Sequence, residues 1–424
     1  MFPAAARLCR RFAAHAAAVA GLLGPALPAA RAQTTPDYEL APIEYSARPA
    51  SNRITAFQAR LEAARDARPA AAGPELLRWL LEALDVPAES QVLVFSKTSL
   101  QRGLISPSHP RAVYFNDDVY LGVVPGGLLE VAVTDPELGL VFYKLDPRPA
   151  GGALRFERDA DCLSCHGGPM TRNWPGLLVR SVTPDPRGEP ITSAGSRLVD
   201  HDTPLAERWG GWYVTGRHGD LRHPGNAVTR PGVPLDREPG ANLADLGRFF
   251  DPGRHLRPDS DLVALMVLEH QAGMHNRLAE GALRTRRWKH YQLTLQRELG
   301  DPAGDLPVGT WRRVVEGETQ RILEWLLFCV EAALPAGGIG GAGVFERPYQ
   351  ARGPFDQQGR SLRDLGLRTR IFRHRCSPLI YSEAFAALPP ELHAAVLRRL
   401  DEVLAAAEPP RRFAHLPAEE RRAI

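Results

Sequence analysis

The chain has 424 residues, of which 44% are hydrophobic and 24% charged, with a formal net charge of +3, a length that suits one large or two ordinary domains. The first 32 residues carry Arg7, Arg10, Arg11 and Arg31 and no acid, so the remaining chain carries −1. That excludes the global basic field of a nucleic-acid or anionic-lipid binder, and no later run of about 18 uninterrupted apolar residues is available as a transmembrane segment.

Residues 1–32 have an arginine-bearing start, an apolar middle and an Ala30-Arg31-Ala32 end, the pattern of a signal peptide with an A-x-A cleavage site. Export to the periplasm is the expectation. Residues 33–50 are polar and rich in Pro, and predict an arm. Helical spacing of Phe57, Leu61, Leu77, Leu80 and Leu84, interrupted at Pro69 and Gly73, predicts two short helices between Ile54 and Leu84. Short β-branched and aromatic runs then follow at 92–95, 112–115, 120–124, 128–133 and 140–143, split by turn residues such as Asn116-Asp117 and Pro125-Gly126-Gly127. They predict an antiparallel meander. Asp117 and Asp118, at one of its turns, read as structural.

Cys162-Leu163-Ser164-Cys165-His166 comes next. A C-x-x-C-H run is the attachment site of a c-type haem: two thiols add across the vinyl groups and the histidine ligates the iron, and chance would supply one here with a probability of about two in a thousand. A dithiol or zinc site is the alternative, but zinc needs two further ligands at fingerlike spacing. Cys329 reads as a buried helix cysteine, and Cys376 as a soft iron ligand or a disulfide partner of Cys329. After the motif, 177–182 predicts a strand that turns at 184–188 into 190–192. The haem run thus lies between strands, and no methionine falls between Met170 and Met266, so a small class I cytochrome c fold is not expected.

Residues 196–258 predict a long ordered loop. Within it His201, Trp209, Trp212, Arg217, His218 and His223 suggest a polar, aromatic pocket wall, with Trp and Arg as donors to haem carboxylates and Arg217, His218 or His223 as acid/base candidates. A Trp-anchored loop is the plainer alternative. Helices are predicted over 261–288, 310–334, 390–407 and from 417 onward. On the first, Met266, His270 and Met274 form an i, i+4, i+8 stripe about 12 Å long. His270 is the distal iron candidate and Met274 its fallback, against the alternative of a core helix with one satisfied histidine; His275 points away and reads as a surface or capping residue. The glycine-rich run 337–343 lacks a preceding strand and a Lys-Ser/Thr, and reads as a flexible connection rather than a phosphate cradle.

The stretches RAVYFNDDVY (111–120), CLSCHG (162–167), VRSV (179–182), ERWGGWYVTG (207–216), VALMVLEHQ (263–271), RCSPLIYSEAF (375–385) and FAHL (413–416) resemble a family of uncharacterised bacterial exported proteins with a single-haem cytochrome c domain. The resemblance implies one covalent haem c and electron transfer with a redox partner protein. A weaker architectural likeness is to PAS/Cache-like periplasmic haem-c domains. The expected fold is α+β, with an N-terminal mainly antiparallel β haem-c domain at 51–235 and a mainly α-helical C-terminal half at 236–424. The expected function is that of a periplasmic one-electron cytochrome. Oxidoreductase chemistry of peroxidase or oxidase type, or gas or redox sensing, is the alternative, because the sixth iron ligand decides among them.

Overall fold

The computed structural model describes residues 35–63, 73–148, 153–300 and 309–424; the predicted signal peptide lies outside them. Helices α1 (Arg53–Ala63) and α2 (Pro74–Ala83) lead into six strands: β1 (Val92–Val94), β2 (Arg111–Phe115), β3 (Val119–Val123), β4 (Leu129–Asp135), β5 (Gly139–Leu145) and β6 (Phe156–Arg158). They pair in chain order as one antiparallel sheet. Every strand predicted for the meander is present, and β6 adds a sixth. The strands read as unbroken apolar runs because both faces of this sheet are buried, so alternation between core and solvent is not required.

One face presents Leu93, Tyr114, Leu121, Val131, Val141 and Tyr143 to α1, α2 and the segment before them. That segment is where the predicted polar arm is corrected. Tyr38, Ile43 and Tyr45 are buried, and Tyr45 Oη donates to Leu140 O at 2.8 Å, so these side chains fasten 37–50 to the core.

The other face presents Val94, Val113, Phe115, Tyr120, Ala132 and Phe142 to the start of a 37-residue helix. Before that helix come α3 (Leu163–His166) and the two-stranded ribbon β7 (Arg180–Val182) with β8 (Ser196–Leu198); after them is α4 (Leu262–Glu298). The ribbon partner is 196–198 rather than the expected 190–192, where only a single Pro184–Pro190 bridge forms. Between β8 and α4 the chain holds nothing longer than three-residue helical turns, yet side chains such as Asn226, bonded to Val214 and Gly240, order it as expected of a long functional loop. Asp261 caps α4 by accepting from Val263 N and Ala264 N, a strong N-terminal stop.

The remaining helices are α5 (Thr310–Leu326), α6 (Glu346–Ala351), α7 (Glu383–Ala386), α8 (Pro390–Ala405) and α9 (Ala418–Ala423). Helices α4, α5 and α8 share a third core around Met274, Leu278, Ile322, Leu326, Leu392 and Val396. Residues 37–424 form one compact unit, and the second core mixes strands β1–β5 with α4. A boundary at 235/236 would cut that core, so the two predicted domains are one. The glycine-rich run is corrected as well: Gly340 pairs with Arg217 through the backbone, and Ala342 N donates to Asp261 Oδ2 at 2.5 Å. It is a packed crossing in which Gly341 has no room for a Cβ against Asp261.

Arg208 and Glu269 form a fully buried ion pair at 2.8 Å, and Arg208 also donates to the carbonyls of Thr203 and His201. It ties the long loop to α4. Burial pushes the Glu269 carboxyl up to about 7 against the pull of Arg208. Arg208→Ala, which leaves that carboxylate buried alone, is expected to cost about 3–5 kcal/mol in urea unfolding, and the apolar pair Arg208→Met with Glu269→Leu should recover most of the loss.

Candidate haem site

The sheet ends in β6, and the motif follows at once. Asp159 caps a short turn by accepting from Asp161 N at 3.0 Å, and Ser164 Oγ donates to Asp161 O at 2.7 Å, which closes Cys162 to His166 into one turn of helix. Helical spacing at i, i+3 then puts both thiols on one side. Cys162 is half-buried and Cys165 exposed, and both are free. Burial, followed by the carboxylates of Asp159, Glu130 and Asp161, pushes the Cys162 thiol up to about 12.

His166 is oriented by the segment that follows it. Its Nδ1 lies 2.8 Å from Gly176 O; a carbonyl only accepts, so Nδ1 carries the proton and Nε2 keeps its lone pair. Gly176 N and Thr171 Oγ1 donate back to His166 O, and Arg172 and Asn173 take left-handed backbone to make the return. The ring packs on Phe142 at 4.7 Å, and burial lowers its pKa. A neutral imidazole with one nitrogen fixed by a backbone acceptor is what an iron ligand requires.

His166, Cys162 and Cys165 stand on the wall of a cavity between the second sheet face and α4. Its floor is Val113, Tyr120, Gly122 and Ala132, its roof is Leu268 and Ala272 of α4, and Leu177, Val179 and Trp212 close one side. The cavity itself holds about 170 Å³ and opens to solvent at its mouth, less than the roughly 300–1,000 Å³ of sites that enclose a whole ligand. One corner is charged. Arg111 lies across Gly122, where a Cβ would overlap its guanidinium, and bonds Glu130 at 2.5 Å. The buried Arg111 Nε has no partner among the described residues.

These residues fit a covalently attached haem on two counts: the donor set of two thiols and a neutral imidazole, and the orphaned donor on Arg111. Cys162, Cys165 and His166 would hold it. Bound haem would supply one-electron chemistry and, where a sixth position is open, a binding point for small ligands.

Of the other residues singled out from sequence, only Trp212 joins this wall, and its Nε1 is taken up by Arg180 O at 2.8 Å, so it anchors the β7 backbone. Trp209 is buried elsewhere, edge-on to His223 at 4.9 Å. Arg217 is exposed, its backbone paired with Gly340. His218 and His223 face each other at 3.1 Å between the Nε2 atoms, with Asn242 N donating to His218 Nε2, and neither lines the cavity. His270 is sealed on both nitrogens, by His201 Nδ1 at 2.9 Å and Ser377 Oγ at 2.7 Å. Met274 belongs to the third core. The helix that was to offer them does roof the cavity, but with Leu268 and Ala272, because its buried surface runs all the way round.

His275, expected at the surface, is buried and accepts or donates at 2.7 Å with Tyr120 Oη. Asp117 and Asp118 are structural as expected, bound to Arg363 and to Thr134. Cys329 lies just beyond α5 and is half-buried, whereas Cys376 is fully buried in the third core; both are free. Arg111, Gly122 and Glu130 were not singled out. Gly122 alone carried a signal, since a mid-strand glycine marks a close approach.

No protein-family model, no curated protein and no solved structure matches this chain.

The buried imidazoles set an acid limit. Burial lowers His201 and His275 to about 4 and holds His270 well below the ordinary value. Their unfolded values lie near 6.5, so the unfolded chain takes up protons that the folded chain refuses. Stability is full above about pH 6.5 and falls toward pH 4, with a slope of about 1.4 kcal/mol per pH unit for each such group. Thermal unfolding across that window is expected to show it, and His275→Asn to reduce the slope by one proton's worth whatever it does to the midpoint.

Proposed function

We propose that this chain is an exported cytochrome carrying one covalent haem c, anchored at Cys162 and Cys165 and ligated by His166, that exchanges single electrons with a redox partner. The observation that carries the reading is the His166 imidazole: neutral, fixed through Nδ1 to Gly176 O, and set with both motif thiols on the wall of one cavity. An apolar floor and roof suit a tetrapyrrole face, and a charged corner suits its carboxylates. The arginine-bearing, apolar N-terminal 32 residues support delivery to the periplasm, where c-type attachment takes place.

A second reading is favoured by one specific observation. His166 is the sole histidine on the cavity wall among the described residues, and no methionine lines it. A haem without a strong sixth protein ligand binds small exogenous ligands. This supports an oxidoreductase or sensor role for the same site over that of a carrier with both axial positions filled.

Co-expression with a c-haem maturation system and peroxidase staining on a denaturing gel tests the first reading. The wild-type band is expected to stain, and Cys162→Ala with Cys165→Ala to abolish the stain; an unstained wild type refutes haem attachment. The optical spectrum tests the second. The reduced protein is expected to be high-spin and to bind CO, with His270→Gln and Met274→Leu leaving the spectrum unchanged. A low-spin spectrum that ignores CO and is lost in His270→Gln would restore His270 as the sixth ligand.

A further inference from the structure

Arg111 opens β2 on the sheet face that floors the cavity, one position diagonal to Gly122 on β3, and Glu130 sits directly opposite Gly122 on β4. With no side chain between them, the guanidinium lies flat across the strand and reaches the carboxylate. Any other residue at 122 would fill that crossing. Glu130 is fully engaged: Oε2 takes Arg111, and Oε1 takes Ser99 Oγ at 2.8 Å and Gln101 Nε2 at 3.0 Å. Both oxygens of Glu130 are thus held by neighbours, and it anchors Arg111.

Arg111 keeps a donor in reserve. Its Nε–H is buried and makes no hydrogen bond among the described residues, a condition that costs free energy until an acceptor arrives. The second arginine on this wall, Arg180, is committed through Nε and Nη2 to Ser196 Oγ. Arg111, Glu130 and His166 line the same cavity, so the motif histidine and the spare donor belong to one site.

We propose that Arg111 is the anion-recognition residue of the His166 cavity, holding a small inorganic anion of the azide, cyanide or nitrite class beside the haem. The proposal rests on the haem reading above and deepens it. An anionic acceptor suits this donor because hydrogen bonds between charged partners are shorter and about twice as strong as neutral ones. The haem's own carboxylates offer the same chemistry from a second source, and the two sources separate by experiment.

The test is optical titration of the ferric holoprotein with azide and cyanide, and of the ferrous holoprotein with CO, for wild type, Arg111→Gln, Arg111→Lys and Gly122→Ala. Arg111→Gln is expected to weaken azide and cyanide by about tenfold or more, the scale of one charge-assisted hydrogen bond, while CO, which is neutral, changes less than about twofold. Arg111→Lys should recover part of the loss, and Gly122→Ala, which displaces the guanidinium, should reproduce it. Unchanged anion affinity in Arg111→Gln overturns the proposal. So does an equal fall in anion and CO affinity, which marks a packing effect, and so does loss of haem content with normal anion binding by what remains, which marks Arg111 as a partner of the haem carboxylates. Failure of the wild type to stain for haem refutes the underlying reading instead, before any titration is made.

Discussion

Everything in this fold follows from one sheet that has both faces to bury. Six short apolar strands leave no polar side to turn to water, so each face must recruit its own cover. The first face takes α1, α2 and residues 37–50. The second is longer than the start of α4 can cover, and the strip that α4 leaves over, between Val113, Gly122 and Ala132 below and Leu268 and Ala272 above, is the cavity that receives the motif. The candidate site is thus a consequence of incomplete coverage.

Polar groups trapped by this arrangement are paired in chains. Arg208 and Glu269, His201 with His270 and Ser377, and Tyr120 with His275 all lie along or against α4. Each is a cost unless satisfied, and each therefore specifies how the long loop and the C-terminal segments dock. Glu269 and the helix histidines hold the structure together and leave the cavity to residues from the sheet. That division separates the parts that stabilise from the parts that are free to bind.

Much of the architecture was legible. Strand runs between turn residues gave the meander, and apolar spacing over 261–288 gave most of α4. What failed did so for one kind of reason. Periodicity assigns a side chain to a face of its own element and says nothing about what covers that face. The Met266, His270 and Met274 stripe is real, but the part of α4 that bears it is covered on every side, so His270 meets His201 and Met274 meets α5. His275 fails for the same reason: a residue turned away from one neighbour faces another. The aromatic loop around Trp209 and His223 was recognisable as ordered, yet it packs behind the cavity wall rather than into it.

By itself the sequence determined the chemistry of the motif, because two thiols and a histidine within five residues constrain each other through the chain alone. It determined the fold class as well, since strand and helix periods are local properties. Tertiary structure decided which partner each residue meets. Arg111, Gly122 and Glu130 are brought together by pairing across β2, β3 and β4, a relation of register between distant segments that no local pattern records. The wall facing His166 was decided in the same way, by where α4 stops covering the sheet.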